Sequence, residues 1–318
     1  MNRFGVDFPI AILSGSSHPV LAGKIADKLG RKLTSVDCFK FRNDNTFCKI
    51  NECIRNHDVY IIQTSTIPVN DTLMETFLLI DAAKYASAGR ITAVLPYFPY
   101  VRSDKKDQPR ISVAARLVAD LLSTAGVSRV ITMDLHSDQI TGFFRSLYDQ
   151  FYASAAILPY LRKRDLANHV VVSPDIGGMK RAKYVAVQLG LPLAVFNKQR
   201  MGNNDQVEVA EVIGDVDGKH CLLVDDEIST GGSVLRAYEN LVKMGALSMA
   251  AICVHGVFVD GALDRLEEAG IDEVVCTDTL PQDGDAHRFL TVLDITDILA
   301  EGILRTHEGR SIGAMFGQ

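Results

Sequence analysis

Leu222-Leu223-Val224-Asp225-Asp226-Glu227-Ile228-Ser229-Thr230-Gly231-Gly232-Ser233 is the stretch whose reading decides the fold. It reads as a short buried strand, Cys221 to Val224, running into two carboxylates and then a turn of small residues. A helix from Ser233 to about Lys243 is expected next, which puts the turn at a helix N-terminus. Unpaired N–H groups and the helix dipole make that place attractive to a phosphate. Gly231 and Gly232 let the backbone approach the anion, and Thr230 and Ser233 add hydroxyl donors. No Lys follows the glycines, so this is not the triphosphate-cradling P-loop. An acidic pair beside a monophosphate cradle suits a sugar phosphate, because carboxylates accept from vicinal ribose hydroxyls or hold Mg²⁺. The bland alternative is an ordinary acidic β-to-α turn; the strand-turn-helix context favours the functional reading.

Outward from this stretch the same layout recurs. Val59–Leu95 and Cys221–Val254 each read as strand, ligand-facing loop, helix, small-residue stop and strand. In the first, Val59 to Ile62 is a strand, Asn70 caps a helix reaching about Ser87, and Ile91 to Leu95 is the next strand. Further upstream, Ile10 to Leu13 is a strand before a helix that starts near Pro19. Phe41 to Asn45 is a polar turn before a hairpin strand, Thr46 to Asn51. In the second half, strand Val170 to Val172, loop Ser173 to Gly178 and helix Lys180 to Leu189 precede strand Pro192 to Phe196. A polar hairpin, Asn197 to Asp205, then returns through Val207 to Ile213. A last helix, Asp297 to Arg305, and the tail fold back, by expectation on the first half. Strands alternating with helices mean α/β architecture with parallel sheets and binding loops at strand C-termini. Two tandem domains are expected, 1–150 joined by the tail 304–318, and 151–303.

Composition narrows the class. The chain has 318 residues, room for two domains, and is 47% hydrophobic and 23% charged, ordinary for a globular protein with a real core. A formal net charge of −6 argues against a nucleic-acid surface. The six cysteines show no CxxC spacing, which reads as reduced, mostly buried thiols rather than a disulfide framework or a zinc site. No apolar run approaches membrane-spanning length and no leader pattern opens the chain. A cytoplasmic protein without a membrane or nucleic-acid partner is expected.

Three further clusters carry chemistry. Pro96-Tyr97-Phe98-Pro99-Tyr100-Val101-Arg102-Ser103-Asp104 leads into a basic loop with Lys105, Lys106 and Arg110. Cations near aromatic rings can hold a polyphosphate and stack a base; a solvated charged loop is the alternative. His136 follows Asp134 at the end of a strand, where an imidazole can ligate Mg²⁺ or contact phosphate, although a lone His is more often structural. Asp175, in Ser173-Pro174-Asp175-Ile176-Gly177-Gly178, is its companion carboxylate, or an ordinary turn Asp. Lys198 and Arg200, two apart on an extended segment, point the same way, towards one anion. Such cations stabilise the charge spread during diphosphoryl transfer, unless they only decorate a surface hairpin.

Taken together these stretches resemble ribose-phosphate diphosphokinase, the phosphoribosyl pyrophosphate (PRPP) synthetase family. The resemblance runs nearly end to end, through Ser14 to His18, Asn70 to Glu75, Ala88 to Val94, Pro96 to Arg102, Leu117 to Leu122, Ile131 to Phe144, Ser173 to Gly178, Val212 to Val216, Leu223 to Ser233 and Ser311 to Phe316. It implies two phosphoribosyltransferase-like domains and transfer of the β,γ-diphosphoryl group of Mg-ATP to the 1-hydroxyl of ribose 5-phosphate, giving PRPP and AMP for nucleotide biosynthesis. Asp225, Asp226, Ser229, Thr230, Gly231, Gly232 and Ser233 would hold ribose 5-phosphate. Phe41, Asn43, Asn45, Arg102, Ser103, Asp104 and His136 would lie around ATP, His136 and Asp175 around Mg²⁺. Lys198 and Arg200 would be catalytic cations on a mobile flap. A ring-shaped homo-oligomer and control by phosphate or ADP are implied as well.

The departures from the family pattern set further expectations. Ser229 stands where the family usually has Asp, Asn45 where it has Glu, Ser103 where it has Gln, and Gly313 where it has Ser. They leave the preferred diphosphoryl donor open, and Gly313 implies weakened phosphate activation and ADP inhibition. Two other readings stand beside the synthetase. One is a phosphoribosyltransferase that consumes PRPP, favoured by Ser229-Thr230-Gly231-Gly232 but not by the duplicated plan or by Lys198 and Arg200. The other is a non-catalytic regulatory paralogue, for which a loss at Asp225, Asp226, Lys198 or His136 is expected; none is lost.

Overall fold

A computed structural model describes residues 8–200, 208–284 and 286–316, which divide into two compact units. The first unit comprises residues 1–152, 279–281 and 295–318; the second comprises 153–278 and 282–294. The first contains β1 (Ile10–Ser14), α1 (Pro19–Lys28), β2 (Val36–Lys40), β3 (Thr46–Ile50), β4 (Asp58–Ile62), α2 (Val69–Tyr85), β5 (Arg90–Leu95), α3 (Ala114–Ala125), β6 (Arg129–Met133) and β7 (Leu147–Phe151). The second contains α4 (Ser154–Leu161), β8 (His169–Ser173), α5 (Met179–Leu189), β9 (Leu193–Arg200), β10 (Glu208–Ile213), β11 (His220–Val224), β12 (Glu227–Ile228), α6 (Gly232–Lys243), β13 (Ser248–Gly256), α7 (Ala262–Glu268), β14 (Glu273–Thr277) and β15 (Leu290–Leu293). The last helix, α8 (Thr296–Glu308), belongs to the first unit.

Each unit is built on a parallel sheet, as the alternation of strands and helices requires. The first sheet runs β1-β4-β5-β6-β7, every pair parallel. The second runs β10-β9-β8-β11-β13-β14-β15, parallel except for β10 against β9. Helices cover both faces, so the central strands read as unbroken apolar runs. All five residues of β4 are buried, as are four of the five in β11. Ile61, Leu79, Ala93, Val118 and Val130 meet in one core, and Val172, Leu223, Leu241, Ala251 and Val274 in the other.

Local chemistry sets the helix ends. Pro19 opens α1, and the His18 imidazole accepts from the Leu21 N–H at 3.4 Å. Asn70 is not the cap of α2. That helix starts at Val69 behind Pro68 with no side-chain cap, and the Asn70 amide oxygen instead accepts from the Tyr100 hydroxyl. Another expectation concerned the cysteines, all of which are free thiols. Only Cys221, Cys253 and Cys276 are buried, and Cys53 is exposed. Cys38 and Cys48 are cross-strand partners on β2 and β3, with their sulfurs 2.8 Å apart. Among the described residues no helix is long and apolar enough to cross a membrane.

Candidate active site

In the second unit the chain leaves β8 for β9 on one side and later returns to place β11 on the other. Open α/β sheets bind ligands outside the strand C-termini at such a reversal of strand order. Asp175 follows β8 there, and Asp225 and Asp226 follow β11.

The acidic pair is fixed through its main chain. The Asp225 N–H donates to the Ile252 carbonyl at 2.9 Å, and the Asp226 carbonyl accepts from Val254 and His255 at 3.0 and 2.8 Å. Asp226 is only 5% exposed. Its carboxylate accepts from the Arg181 guanidinium of α5 at 3.3 Å, so the buried charge has a partner. One Asp225 oxygen accepts from the Asp226 N–H at 2.9 Å. Burial first, then the shared hydrogen bond and charge of Asp226, push the Asp225 carboxyl well above the usual carboxylate range, against an opposing pull from Arg181.

Beyond the pair the chain makes a short extra strand before the helix. β12 runs parallel to β13, and the Ile228 carbonyl accepts from Val257 and Phe258 at 3.0 and 3.1 Å. The Ser229 carbonyl accepts from Val259 at 3.1 Å. Gly231 then takes φ +75° as the N-cap residue of α6, a conformation that suits glycine. No side chain caps α6, so its first-turn N–H groups lack the acceptor a Ser or Asp cap supplies. A carboxylate pair followed by an uncapped helix start is an arrangement able to take a sugar hydroxyl and a phosphate together.

Of the three predicted residues on the loop and strand that follow β8 and α5, Asp175 lies at a surface turn. Asp175 is exposed, and its Oδ1 accepts from the Gly178 N–H at 2.8 Å. Lys198 and Arg200 are placed by backbone only, on β9 opposite Ala210 and Glu208; their side chains lie outside the described residues, as does the expected hairpin tip at 201–207.

The remaining predicted residues belong to the first unit. Phe41 is 50% exposed at the tip of the β2–β3 hairpin, with ring centroids 5.2 Å from Phe39 and 5.6 Å from Phe47. Asn43 and Asn45 are exposed, and the Asn45 N–H donates to the Asn43 side chain at 3.3 Å. Lys40 pairs with Asp71 at 2.7 Å, while Tyr100 bonds Asn70, so the hairpin and the basic loop share the first turn of α2. Arg102 is exposed and Ser103 half-buried. Asp104 is buried and accepts from the Ser137 hydroxyl at 2.6 Å and the Gln139 amide at 2.7 Å. It therefore ties the basic loop to the loop carrying His136, which is exposed after β6.

Sequence reasoning missed the cations around the phosphate loop. Arg181 pairs Asp226, Arg236 donates to the Ser233 hydroxyl at 3.4 Å, and Arg265 donates to the Thr230 carbonyl at 2.7 Å. Only Arg236 had a local signal, its i+3 spacing from Ser233 on one helix. Arg181 and Arg265 come from other helices. The loop after β4, expected to face a ligand, begins with a side chain that is turned inward. Gln63 is 1% exposed, and its carbonyl oxygen accepts from the Ser17 N–H at 3.0 Å and from the Ser17 hydroxyl.

The fold is that of an α/β protein with parallel sheets, and its acidic loop has the donors and acceptors that suit a sugar phosphate. Comparison with known proteins narrows the class. Residues 10–126 match the N-terminal domain of ribose phosphate pyrophosphokinase, and residues 209–317 match the phosphoribosyl synthetase-associated domain. The chain is 43% identical over 305 residues to a ribose-phosphate pyrophosphokinase of Wolinella succinogenes, covering 96% of this chain and 98% of that protein. A phosphoribosylpyrophosphate synthetase from Mycobacterium smegmatis superposes with a TM-score of 0.90 at 40% identity, covering 95% of this chain and 99% of that one. The chain belongs to the ribose-phosphate pyrophosphokinase family.

Proposed function

We propose that the protein is a ribose-phosphate diphosphokinase that joins ATP and ribose 5-phosphate to give PRPP and AMP. The observation that supports this most is the acidic pair at the strand reversal, directly before an uncapped helix N-terminus. In this reading the phosphate of ribose 5-phosphate sits on the Ser229–Ser233 turn, and Asp225 and Asp226 accept from the ribose hydroxyls. The anomeric oxygen attacks the β-phosphorus of ATP, the bond between that phosphorus and the α,β-bridging oxygen breaks, AMP leaves with the oxygen, and the hydroxyl proton passes to solvent water. Lys198 and Arg200, opposite Ala210 and Glu208 in the backbone register of β9 and β10, stabilise the charge on the transferring group. Phe41 offers an exposed face to the base, with Arg102 for the phosphates; Asn43, Asn45, Ser103 and Asp104 complete the proposed nucleotide surface.

We assign His136 and, separately, Asp175 as residues that contact Mg²⁺. Among the described residues no group of three or more His, Cys, Asp or Glu is disposed around one point. Exposed donors that are not gathered into one cluster suit an ion that keeps waters and arrives on nucleotide phosphates, rather than one held in an all-protein cage. Mg²⁺, when bound, supplies charge neutralisation on the phosphates. We further propose two functional domains dividing near residue 150, a cytoplasmic homo-oligomer, and weakened control by phosphate and ADP through Gly313.

The test is a product assay with ribose 5-phosphate, Mg²⁺ and ATP, following AMP and PRPP together with and without phosphate. Equimolar AMP and PRPP without added phosphate support both activity and altered control. No product under either condition, despite tight ribose 5-phosphate binding, overturns the synthetase reading.

A further inference from the structure

The phosphate loop has a support that its own stretch of chain does not contain. Arg265, on α7, donates from Nη2 to the Thr230 carbonyl at 2.7 Å and from Nη1 to the Asp260 carbonyl. The neighbouring Leu266, fully buried, lies 3.4 Å from where a Cβ on Gly231 would sit. One helix thus supplies both a floor under Gly231 and a clamp on the peptide before it. In a trans peptide the carbonyl of Thr230 and the N–H of Gly231 point in opposite directions. Holding the carbonyl towards α7 therefore turns the Gly231 N–H away from α7.

We propose that Arg265 is a positioning residue for substrate phosphate: it fixes the Thr230–Gly231 peptide so that the Gly231 N–H joins the first-turn donors of α6. This rests on the reading that the phosphate of ribose 5-phosphate occupies the Ser229–Ser233 turn. The guanidinium fork suits the task, because two donors in fixed geometry hold two main-chain carbonyls at once. Its positive charge also lies behind the peptide, where it adds to the attraction for an anion. A Lys at this position reaches one carbonyl with a point charge and cannot bridge both.

Arg265→Met and Arg265→Lys test this in the full-length enzyme. Binding of ribose 5-phosphate and, separately, of inorganic phosphate is measured by calorimetry, alongside kcat, both KM values and Tm. The Met variant is expected to bind ribose 5-phosphate about tenfold more weakly, with its KM raised to match. KM for ATP and kcat should stay within about twofold, and Lys should recover part of the loss. An unchanged ribose 5-phosphate affinity overturns the proposal. So does a parallel rise in both KM values with a fall in Tm that Lys does not relieve, which marks a purely structural role. If the wild type binds phosphate but not ribose 5-phosphate, and Met weakens the phosphate, the clamp stands and the substrate reading falls. If the wild type binds neither, both fall.

Discussion

The two units carry matching crevices with opposite contents. In the second, the strand order reverses between β8 and β11, and the loops there present Asp175, Asp225 and Asp226. In the first, Leu33 bridges Ile12 of β1 in parallel while β4 pairs the other edge of β1, so the same reversal falls between β1 and β4. Yet that crevice is closed by its own side chains. Gln63, at the position after β4 that Asp225 holds after β11, accepts from Ser17 and donates to Glu75 at 3.0 Å and to the Thr72 carbonyl at 3.2 Å. Glu75 in turn accepts from the Ser16 hydroxyl at 2.8 Å, and the Ser17 hydroxyl accepts from the Thr64 N–H at 2.8 Å. One scaffold satisfies its loop donors internally and gains stability. The other presents an acidic pair at its strand reversal, Asp225 half-buried and Asp226 buried beside Arg181, two like charges whose closeness costs stability until a ligand engages them. The topology provides the place; the side chains decide whether it is filled.

The largest effect that would sharpen this contrast concerns the two hairpins. Each unit raises an antiparallel hairpin after its first strand-helix pair, but only β9 carries Lys198 and Arg200, where β2–β3 carries Phe39, Phe41 and Phe47. Lys198→Ala should lower kcat by about a thousandfold, because a cation acting on transferred phosphoryl charge is worth that order. Affinity for ribose 5-phosphate, measured without nucleotide, should hardly move. A loss confined to that affinity would place Lys198 on the sugar phosphate instead.

Next comes Asp225→Asn, which should raise KM for ribose 5-phosphate by about a hundredfold when measured above the folded pKa of Asp225, where the ionised carboxylate accepts charge-assisted bonds. The same change should raise Tm. Burial and the Asp226 charge push the Asp225 pKa up to about 8 in the folded protein, against an unfolded value of about 3.9. Between those values the folded state holds a proton that the unfolded chain has lost, so wild-type stability falls as pH rises through the window. The Tm advantage of the variant should therefore grow from acid pH and level off above the folded pKa. A Tm difference independent of pH would show that the pair is not strained.

Gln63→Ala makes the opposite case in the closed crevice. It leaves Ser17, Thr72 and Glu75 short of partners, at a cost of about 2–3 kcal/mol in stability by denaturant unfolding. KM for ribose 5-phosphate should stay at its wild-type value. A raised KM would show the first crevice to be functional after all.

This pair of crevices also shows where sequence reading works. The strand-turn-helix setting of Asp225, Asp226 and the Thr230–Ser233 turn was legible because it lies within a dozen consecutive residues. The repeat of that layout at Val59–Leu95 was legible too, but not its closure. Nothing local to Gln63 announces that Ser17 and Glu75 reach it from other elements. Arg181 and Arg265 escaped for the same reason: their partners, Asp226 and Thr230, are distant in sequence. Asp104 was read as facing nucleotide, and its buried bonds to Ser137 and Gln139 are equally non-local. Helices α3, α4 and α7 and strands β7, β14 and β15 were unassigned. In α4, Pro159 lies within the helix, a residue that local propensity counts against one.

The smallest effect compares one position in both crevices. Ser16 and Asp175 each stand two residues beyond a first strand, β1 and β8. Ser16 donates its hydroxyl to Glu75, and Asp175 accepts one N–H from Gly178. Either side chain cut back to Ala loses one or two hydrogen bonds at an exposed turn, so each variant should lose only about 1 kcal/mol in stability. What separates them is magnesium. Asp175→Ala should raise the Mg²⁺ concentration needed for half-maximal rate several-fold, because a carboxylate contributing to a hydrated Mg²⁺ supplies charge that the remaining ligands cannot replace. Ser16→Ala should leave that concentration unchanged, since its partner Glu75 is buried and already bonded to Gln63. Equal magnesium dependence in the two variants would reduce Asp175 to a turn residue and leave Asp225 and Asp226 to carry the chemistry of the open crevice.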